Sequence, residues 1–225
     1  MKGKWSGFGL VDGRGKLNGH VASKNRAGAY VRTKVSPVNP QTSYQLTSRN
    51  LLSTYSQGWR ALTQAQRDAW DAAVADFGKT DVFGDIRNPT GKNLYGKLNI
   101  NLENAGQTPI TDPPLPSGGG QVVAGAVVMT NGGAKSVAHT GDTAGHTVLV
   151  FATPGVSPGK KFVKNDYRLL TTFTGGAASP AVITTAYNAR FGQPAVGTRV
   201  AVKLVSVNDT TGETSVASES TTITV

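Results

Sequence analysis

The 225-residue sequence contains no cysteine and no long apolar segment. The absence of cysteine excludes disulfide bonds, thiolate metal sites and cysteine nucleophiles. No window approaches the roughly 18 apolar residues that a transmembrane helix requires, so we expect no membrane partner. The opening residues MKGKWSGFGL lack the apolar run of a signal peptide. We therefore expect a protein that is made in a cytoplasm and kept there until it is assembled or released.

Acidic residues are scarce, and their distribution is uneven. The chain has 13 Asp/Glu against 23 Lys/Arg, which gives a net charge of +10. Residues 1–50 hold nine of these cations and one acid, Asp12. This asymmetry predicts a basic tail that meets an acidic partner, either nucleic acid or an acidic patch on another subunit. Apolar residues make up only 38% and glycine is abundant, so we expect a modest core.

Residues 1–38 form a glycine-rich basic segment. Strand-like pieces at 17–21 and 29–35 predict an extended arm with one or two short strands. Alone, such an arm cannot bury enough surface to offset its ordering entropy, so we expect it to order on a partner chain or on its own helices. Its cations are interleaved with an aromatic ring that could stack on a base or on a partner ring. The candidate partner-binding residues are Lys16, Lys24, Arg26, Tyr30, Arg32 and Lys34.

Residues 39–107 carry the clearest helix signals in the chain. Asn39 is a good N-cap, and Pro40 suits the first turn of a helix. Leu62 closes the apolar face of that helix. A first helix follows, because apolar residues then recur at roughly helical spacing. They are Tyr44, Leu51, Leu52, Tyr55 and Trp59.

Two further helices follow from their capping residues. Thr63 and Gln66 form a Thr-x-x-Gln capping box, and Gly78 suits the C′ position of the second helix. Thr90 and Gly106 bound a third helix, in which leucines recur at 94, 98 and 102. The predicted buried face of the second helix is Ala69, Trp70, Ala73, Val74 and Phe77. We expect Trp59, Leu62, Trp70 and Phe77 to form the structural core, together with Tyr95.

A change of composition separates the helices from the C-terminal half. Residues 108–120 are rich in proline and glycine, which predicts a linker. Residues 121–225 are rich in Val, Thr, Ala and Ser, show no helix signal and contain seven strand-like runs, which predicts an immunoglobulin-like or fibronectin-like β-sandwich. The predicted fold class is therefore α+β and multidomain. The runs are 122–130, 136–140, 147–153, 167–174, 181–186, 199–207 and 215–225.

The chain contains motifs that resemble catalytic or ligand sites, but they lack features that such sites require. The segment GVSPG at 155–159 matches the nucleophile elbow G-x-S-x-G, but Pro158 has no N–H for an oxyanion. The segment GGAKS at 132–136 lacks the glycine that precedes the lysine of a phosphate loop. His139, Asp142 and His146 are close enough in sequence to meet a metal, yet we interpret them as loop residues. We predict no catalytic residue, no metal site and no cofactor.

Two strings in the first half are distinctive. They are GKLNGHVASKNRAGAYVRTKVSPVNPQTSYQLTSRN and WRALTQAQRDAW. They resemble a family of small proteins of tailed bacteriophages and prophages, which share a basic glycine-rich arm, a V-x-P-x-N-P-Q-T turn and a W-R-x-L-T-x-x-Q-R-x-x-W corner. The resemblance covers residues 13 to about 106. It implies a phage-encoded, virion-associated protein and brings no catalytic residues.

The sequence thus predicts a non-enzymatic virion structural protein of the head, neck or tail. We expect it to dock on other virion proteins through its arm and helices, in many identical copies. One alternative is a DNA-binding or packaging-associated protein that makes nonspecific contacts with DNA through the arm. Another is a host-surface or glycan-binding module in the sandwich.

Overall fold

The structure is a computed structural model that describes residues 2–4, 14–25, 28–81 and 83–225. It is a mixed helix and strand fold of the α+β type with antiparallel sheets. Two compact units are distinguished, residues 1–46 and residues 47–225. Within the described residues no helix is both long and apolar enough to cross a membrane.

The first unit contains a four-stranded antiparallel sheet, here called the N-terminal sheet. Its order is β1-β4-β3-β2. The sequence predicted an extended arm with one or two short strands, at 17–21 and 29–35, whereas the described residues form four strands of one sheet. The signal for a hairpin was present: Asn18 and Gly19 form a two-residue connection, with Asn18 at a φ of 49°. The strands are β1 (Lys2–Lys4), β2 (Gly15–Leu17), β3 (His20–Asn25) and β4 (Gly28–Thr33).

Helix α1 (Ser43–Ala61) begins later than its sequence signals predicted. Gln41 has a left-handed φ of 50°, which interrupts a helix that would start at Pro40. The Thr42 hydroxyl then accepts a hydrogen bond from the Gln45 N–H at 3.3 Å. Thr42, and not Asn39, therefore caps the helix.

Helices α2 (Gln64–Ala73) and α3 (Gly91–Asn104) confirm their predicted N-caps, and α3 also confirms its C-terminal glycine. The capping box of Thr63 and Gln66 is present in both directions. Gly106 ends α3 at a φ of 74°, and the Gln107 N–H donates to the Leu102 carbonyl at 2.8 Å, which is a Schellman motif. A short 3₁₀ turn (Val74–Phe77) follows α2, and Gly78 beyond it has a φ of −59°, so it is not a left-handed C′ residue. Strands β5 (Lys79–Thr80) and β6 (Ile86–Arg87) then pair in antiparallel fashion before α3.

The three helices share one apolar core that is centred on Tyr95. The rings of Tyr55, Trp59 and Trp70 lie 6.2, 5.7 and 5.5 Å from the Tyr95 ring, measured between centroids. Trp70 and Leu62 are buried in this cluster, while Trp59 and Phe77 pack against it half-buried. The three leucines that recur in α3, at 94, 98 and 102, are fully buried.

The predicted inner face of the helices was too wide. Tyr44 and Leu52 are 55% and 60% exposed, and Ala69 is also exposed. Leu51, Tyr55 and Trp59 are spaced four residues apart and form one stripe toward the core, which Tyr44 and Leu52 do not join. The sequence therefore located the helices correctly but assigned these three side chains to the wrong face.

The C-terminal half contains two antiparallel sheets, here called the β layers. One layer has the order β10-β9-β12-β13, and the other has the order β11-β8-β7. Alternate residues of β7, β8, β9 and β12 point into a common core between the layers. The strands are β7 (Val123–Met129), β8 (Lys135–Thr140), β9 (His146–Ala152), β10 (Arg168–Thr174), β11 (Ala181–Val182), β12 (Arg199–Asn208) and β13 (Ser218–Ile223).

One helix in this half was not predicted. The run 181–186 was predicted as a strand, but β11 ends at Val182 and helix α4 (Thr184–Phe191) follows. Adjacent β-branched threonines favour a strand locally, which explains the wrong prediction. Burial in the core favours the helix instead. Tyr187 is fully buried, its ring centroid lies 5.2 Å from that of Phe191, and its hydroxyl donates to the Thr153 carbonyl at 3.1 Å.

The segment 108–120 is held along its length by hydrogen bonds. The Trp70 indole N–H donates to the Thr111 carbonyl at 2.8 Å, and the amide of Asn99 exchanges hydrogen bonds with the backbone of Ile110. Further on, the Ser117 and Gly118 N–H groups donate to Glu213 Oε2 at 2.7 and 2.8 Å. These contacts join the segment first to the helices and then to the β layers.

The loop 208–217, here called the junction loop, packs directly on α3. Asn101 Nδ2 donates to the Gly212 carbonyl at 2.8 Å. Gly212 has a φ of 72°, and a Cβ placed on it would overlap the Leu98 carbonyl oxygen and lie 3.1 Å from Leu102 Cγ. Only glycine fits this position, because it combines a left-handed backbone with close approach to a helix. The helices and the β layers therefore form a single compact unit.

This packing predicts an unequal effect of two alanine substitutions. Gly212→Ala should lower the free energy of unfolding by about 3 kcal/mol, because it adds steric overlap to left-handed strain. Gly197→Ala is the matched control: Gly197 has a φ of 80° and open space around its Cβ position, so about 1 kcal/mol is expected. Urea unfolding measures both values. Equal losses of stability for the two variants would contradict the close packing of Gly212 on α3.

Candidate functional site

The strongest candidate site is one face of the N-terminal sheet. Residues directly opposed on neighbouring strands point to the same side of a sheet. Val21 in β3 is opposed by Lys16 on one side and by Arg32 on the other. The two cationic residues therefore lie on one face, about 10 Å apart across two strand spacings. Both side chains are exposed.

The same face carries Tyr30 and continues to Lys34. Tyr30 lies two residues before Arg32 in β4, is opposed by Ser23 and is half-buried. Lys34 follows the strand, and its N–H donates to the Gly19 carbonyl at 2.7 Å, so the alternation extends to it. Lys16, Tyr30, Arg32 and Lys34 thus share what we call the basic face.

Two of the predicted binding residues are not part of the basic face. Lys24 is opposed by Ala29 and belongs to the other side of the sheet, next to Ala22 and Val31. Arg26 lies outside the described residues. Sequence reasoning did not identify Val21, which lies between the two cations. If the hairpin between β2 and β3 had been recognised, the alternation in HVASKN would have predicted the face of the sheet on which Val21 lies.

Residues 14–46 supply no carboxylate to balance the charge of the basic face. The sequence has no Asp or Glu between Asp12 and Asp68, so residues 14–46 contain no carboxylate. None of the described side chains in that range is buried. A cluster of exposed cations creates a positive potential that attracts an acidic surface or a phosphate backbone. The basic face is therefore suited to binding a surface of opposite charge.

The serine of the GVSPG motif lies in a loop without nucleophile-elbow geometry. Val156 makes an isolated antiparallel bridge with Arg199, and the Ser157 carbonyl accepts from the Lys160 N–H at 2.9 Å in a turn. A nucleophile elbow requires a helix directly after the serine, and the described residues here form a turn. The segment is a connection between β9 and β10.

The lysine of the GGAKS motif serves the fold. Lys135 is fully buried, and its ammonium group donates to Gln193 Oε1 at 2.8 Å. It also donates to the carbonyls of Thr130 and Gly133, at 3.2 and 3.3 Å. The ammonium thus ties together the turn between β7 and β8 and is turned away from any external phosphate.

His139 and Asp142 form a buried pair that does not extend to His146. His139 Nδ1 lies 2.8 Å from Asp142 Oδ1, and the His139 ring stacks on Phe173 at 4.4 Å between centroids. His139 Nε2 is buried without a hydrogen-bond partner. His146 Nδ1 instead contacts Thr143 Oγ1 at 3.2 Å. Across the part of the chain that the structure describes, no three His, Cys, Asp or Glu residues are grouped to hold a metal ion.

Burial raises the pKa of Asp142, but the hydrogen bonds from His139 and from the Gly176 N–H outweigh this effect. The pKa of this carboxyl therefore lies below its ordinary value. A group whose pKa is lowered by folding stabilises the folded state above its unfolded pKa. That contribution is lost as the pH falls through the folded pKa.

Comparisons with protein-family models, with curated proteins and with solved structures give no match for this chain. The functional interpretation therefore depends on the geometry described above and on the motifs of the first half.

The buried pair predicts a change in acid stability. Asp142→Asn should lower the free energy of unfolding by about 1–3 kcal/mol at neutral pH, because the His139 ring and the Gly176 N–H lose a charged acceptor. It should also flatten the loss of stability below about pH 4, since the titrating carboxyl is gone. Denaturant unfolding between about pH 2 and 7 measures this dependence. The exposed Asp76→Asn serves as control, and a profile for Asp142→Asn as steep as that of the parent chain would exclude the assignment.

Proposed function

We propose that this chain is a non-enzymatic structural protein of a bacteriophage particle that docks on neighbouring subunits through the basic face of its N-terminal sheet. It would be made in the host cytoplasm and reside in the virion, as a component of the head, neck or tail. The resemblance of residues 13 to about 106 to small phage proteins supports the setting. The exposed N-terminal sheet supports the role in docking.

The observation that carries the proposal is the absence of buried side chains among the described residues of 14–46. A sheet gains independent stability when one face packs against a core or a helix. Residues 47–225, by contrast, contain several clusters of buried apolar side chains. A sheet that is open over its described residues is expected to be covered by a partner, which also protects its strand edges.

The chemistry of the basic face indicates which partner surface fits. Lys16 and Arg32 flank the half-buried Val21, so two cations frame a small apolar contact. An acidic surface of a neighbouring subunit would complement this arrangement in charge and would fix its register. Because phage particles are symmetric, such a contact would recur in many identical copies.

We further propose that the β layers form an immunoglobulin-like or fibronectin-like sandwich that projects from this attachment or makes a second contact. In an immunoglobulin sandwich the third, sixth and seventh strands are neighbours in one sheet. Here β9, β12 and β13 occupy those places, and β7, β8 and β11 form the opposing layer. The strand order supports the assignment independently of the sequence.

The alternative partner is DNA. Two cations at a spacing of about 10 Å with Tyr30 beside them suit a phosphate backbone and a stacked base. Binding to DNA would depend steeply on salt, because each neutralised phosphate releases counterions. Binding to an acidic protein surface would show a weaker dependence.

Charge reversal on the basic face tests the proposal. The variant Lys16→Glu/Arg32→Glu should be incorporated into particles at least ten-fold less than the parent chain, because both cations then repel an acidic subunit. Mass spectrometry of particles purified from cells that express each variant gives the copy number. The control is Lys161→Glu/Lys164→Glu, which makes the same charge change at exposed positions of the second unit and should be incorporated normally.

A salt series with random duplex DNA separates the two partners. Under the subunit proposal, the parent chain and the basic-face variant bind DNA equally weakly. If DNA is the partner, the parent chain binds with a steep slope of log affinity against log salt, and the double reversal lowers that slope by about 2. Normal incorporation of the basic-face variant would overturn the subunit proposal.

A further inference from the structure

The chain contains two Asn-Gly dipeptides, at residues 18–19 and 131–132. In such a dipeptide the glycine nitrogen can attack the side-chain amide carbon of the asparagine, because glycine has no Cβ that would obstruct the approach. The first dipeptide connects β2 to β3, and the second begins the turn between β7 and β8. Both turns carry the same reactive groups, so a difference in their reactivity would reflect their structural surroundings.

The dipeptide at 131–132 is held by hydrogen bonds. The Asn131 N–H donates to the Val225 carbonyl at 2.8 Å, and the Gly132 N–H donates to Gln193 Oε1 at 3.2 Å. Gln193 Oε1 also accepts from the ammonium group of the buried Lys135 at 2.8 Å. The Gly132 nitrogen can attack only after it leaves this acceptor, which costs a hydrogen bond.

The dipeptide at 18–19 is restrained differently. Asn18 and Gly19 are both exposed. The Gly19 carbonyl accepts from the Lys34 N–H at 2.7 Å, but within the residues that the structure describes the Gly19 N–H donates to no acceptor. A Cβ placed on Gly19 meets no atom within 4 Å, so the space around this residue is open. The Gly19 nitrogen can therefore approach the Asn18 side chain without first breaking a hydrogen bond to a described residue.

The charge around Asn18 also favours the attack. Ring closure places negative charge first on the glycine nitrogen and then on the amide oxygen of the tetrahedral intermediate. Lys16 lies two residues before Asn18, and Lys34 is hydrogen-bonded to Gly19, so two exposed cations accompany the turn. Positive potential at the place where negative charge develops lowers the barrier of a reaction. At Asn131, by contrast, the ammonium group of Lys135 is directed at oxygen acceptors in the interior.

We propose that Asn18 is a site of spontaneous deamidation in the folded chain, whereas Asn131 is protected. The Gly19 nitrogen forms a bond to Asn18 Cγ and gives up its proton, the bond from Cγ to the amide nitrogen breaks, and ammonia leaves. The product is a succinimide ring. Water then opens the ring: cleavage between the Gly19 nitrogen and Cγ gives aspartate, and cleavage between that nitrogen and the backbone carbonyl carbon gives isoaspartate. Water is the only co-reactant, and no oxidant is needed.

Either product would weaken the basic face. Each places a new carboxylate two residues from Lys16 and lowers the net charge of residues 14–46 by one. Isoaspartate also lengthens the backbone of the turn by one carbon, which disturbs the pairing of Lys16 with Val21. This consequence for docking rests on the proposed function. A chain that stays unassembled would gradually lose the surface through which it docks.

Peptide mapping of the full chain measures both conversions in one sample. Trypsin releases residues 17–24 and residues 98–135 as separate peptides, each with one Asn-Gly dipeptide. After incubation of the folded chain in mildly alkaline buffer, Asn18 should be converted at least about ten-fold faster than Asn131, because Gly132 must first break its hydrogen bond. Mass spectrometry gives the extent of conversion, and labelling by an isoaspartyl methyltransferase identifies the isoaspartate.

Two controls relate the difference to the structure. In concentrated guanidinium chloride the hydrogen bond of Gly132 is lost, so the two asparagines should be converted at similar rates. The variant Gly19→Ala adds a Cβ in open space, at a residue whose φ lies outside the left-handed region, so the turn should be kept. The added methyl group obstructs the attack and should slow the conversion of Asn18 several-fold. Thermal unfolding equal to that of the parent chain verifies the fold of the variant.

Two results would each overturn the proposal. They are a conversion of Asn18 in the folded chain that is no faster than that of Asn131, and a Gly19→Ala variant in which Asn18 is converted as fast as in the parent chain. Both measurements use the unassembled chain and do not depend on docking. If Lys16→Glu/Arg32→Glu is incorporated normally into particles, the proposed function fails, while an unequal conversion of the two asparagines still stands.

Discussion

The packing of Gly212 against the Leu98 carbonyl is the contact on which the second unit depends. It lets the junction loop approach α3 more closely than any side chain at position 212 would permit. The same helix also holds Tyr95, around which three aromatic rings pack. Helix α3 is therefore shared between a helical core and a pair of β layers. The segment 108–120, which its composition marks as a linker, is held by hydrogen bonds to the helices and then to the β layers.

The two units differ in how they gain stability. Residues 47–225 contain clusters of buried apolar side chains, and this burial stabilises the unit from within. The N-terminal sheet has backbone hydrogen bonds but no buried described side chain, and hydrogen bonds alone contribute modestly because water competes for them. Its ordering is thus expected to increase when a surface covers it. This division fits a protein in which one part keeps its shape and another part adapts to its neighbours.

Local signals in the sequence predicted the parts of the fold that local forces determine. Thr63 with Gln66, and Thr90 with Gly106, bound their helices as expected, because a cap is satisfied by residues three or four positions away. Six of the strand-like runs correspond to strands, since alternation reflects a buried face. Prediction failed where contacts between residues far apart in sequence determine the structure. Burial of Tyr187 in the core favours helix α4, and Gly212 attaches the junction loop to a helix more than 100 residues away. The basic residues were identified from composition, but only strand register separates Lys24 from Arg32.

The junction loop also determines where this molecule tolerates added sequence. It closes one end of the β layers, beyond Asn208, and Glu213 and Gly212 are engaged there. Strands β9 and β12 are antiparallel, with Ala152 opposite Val202, so the connection 153–167 lies at the other end. Residues 157–162 of that connection are exposed, while Val163 and Tyr167 anchor its return to the core. An epitope tag or a foreign peptide inserted near residue 160 would leave both the segment 108–120 and the helices in place. This loop is therefore the natural position for display or labelling.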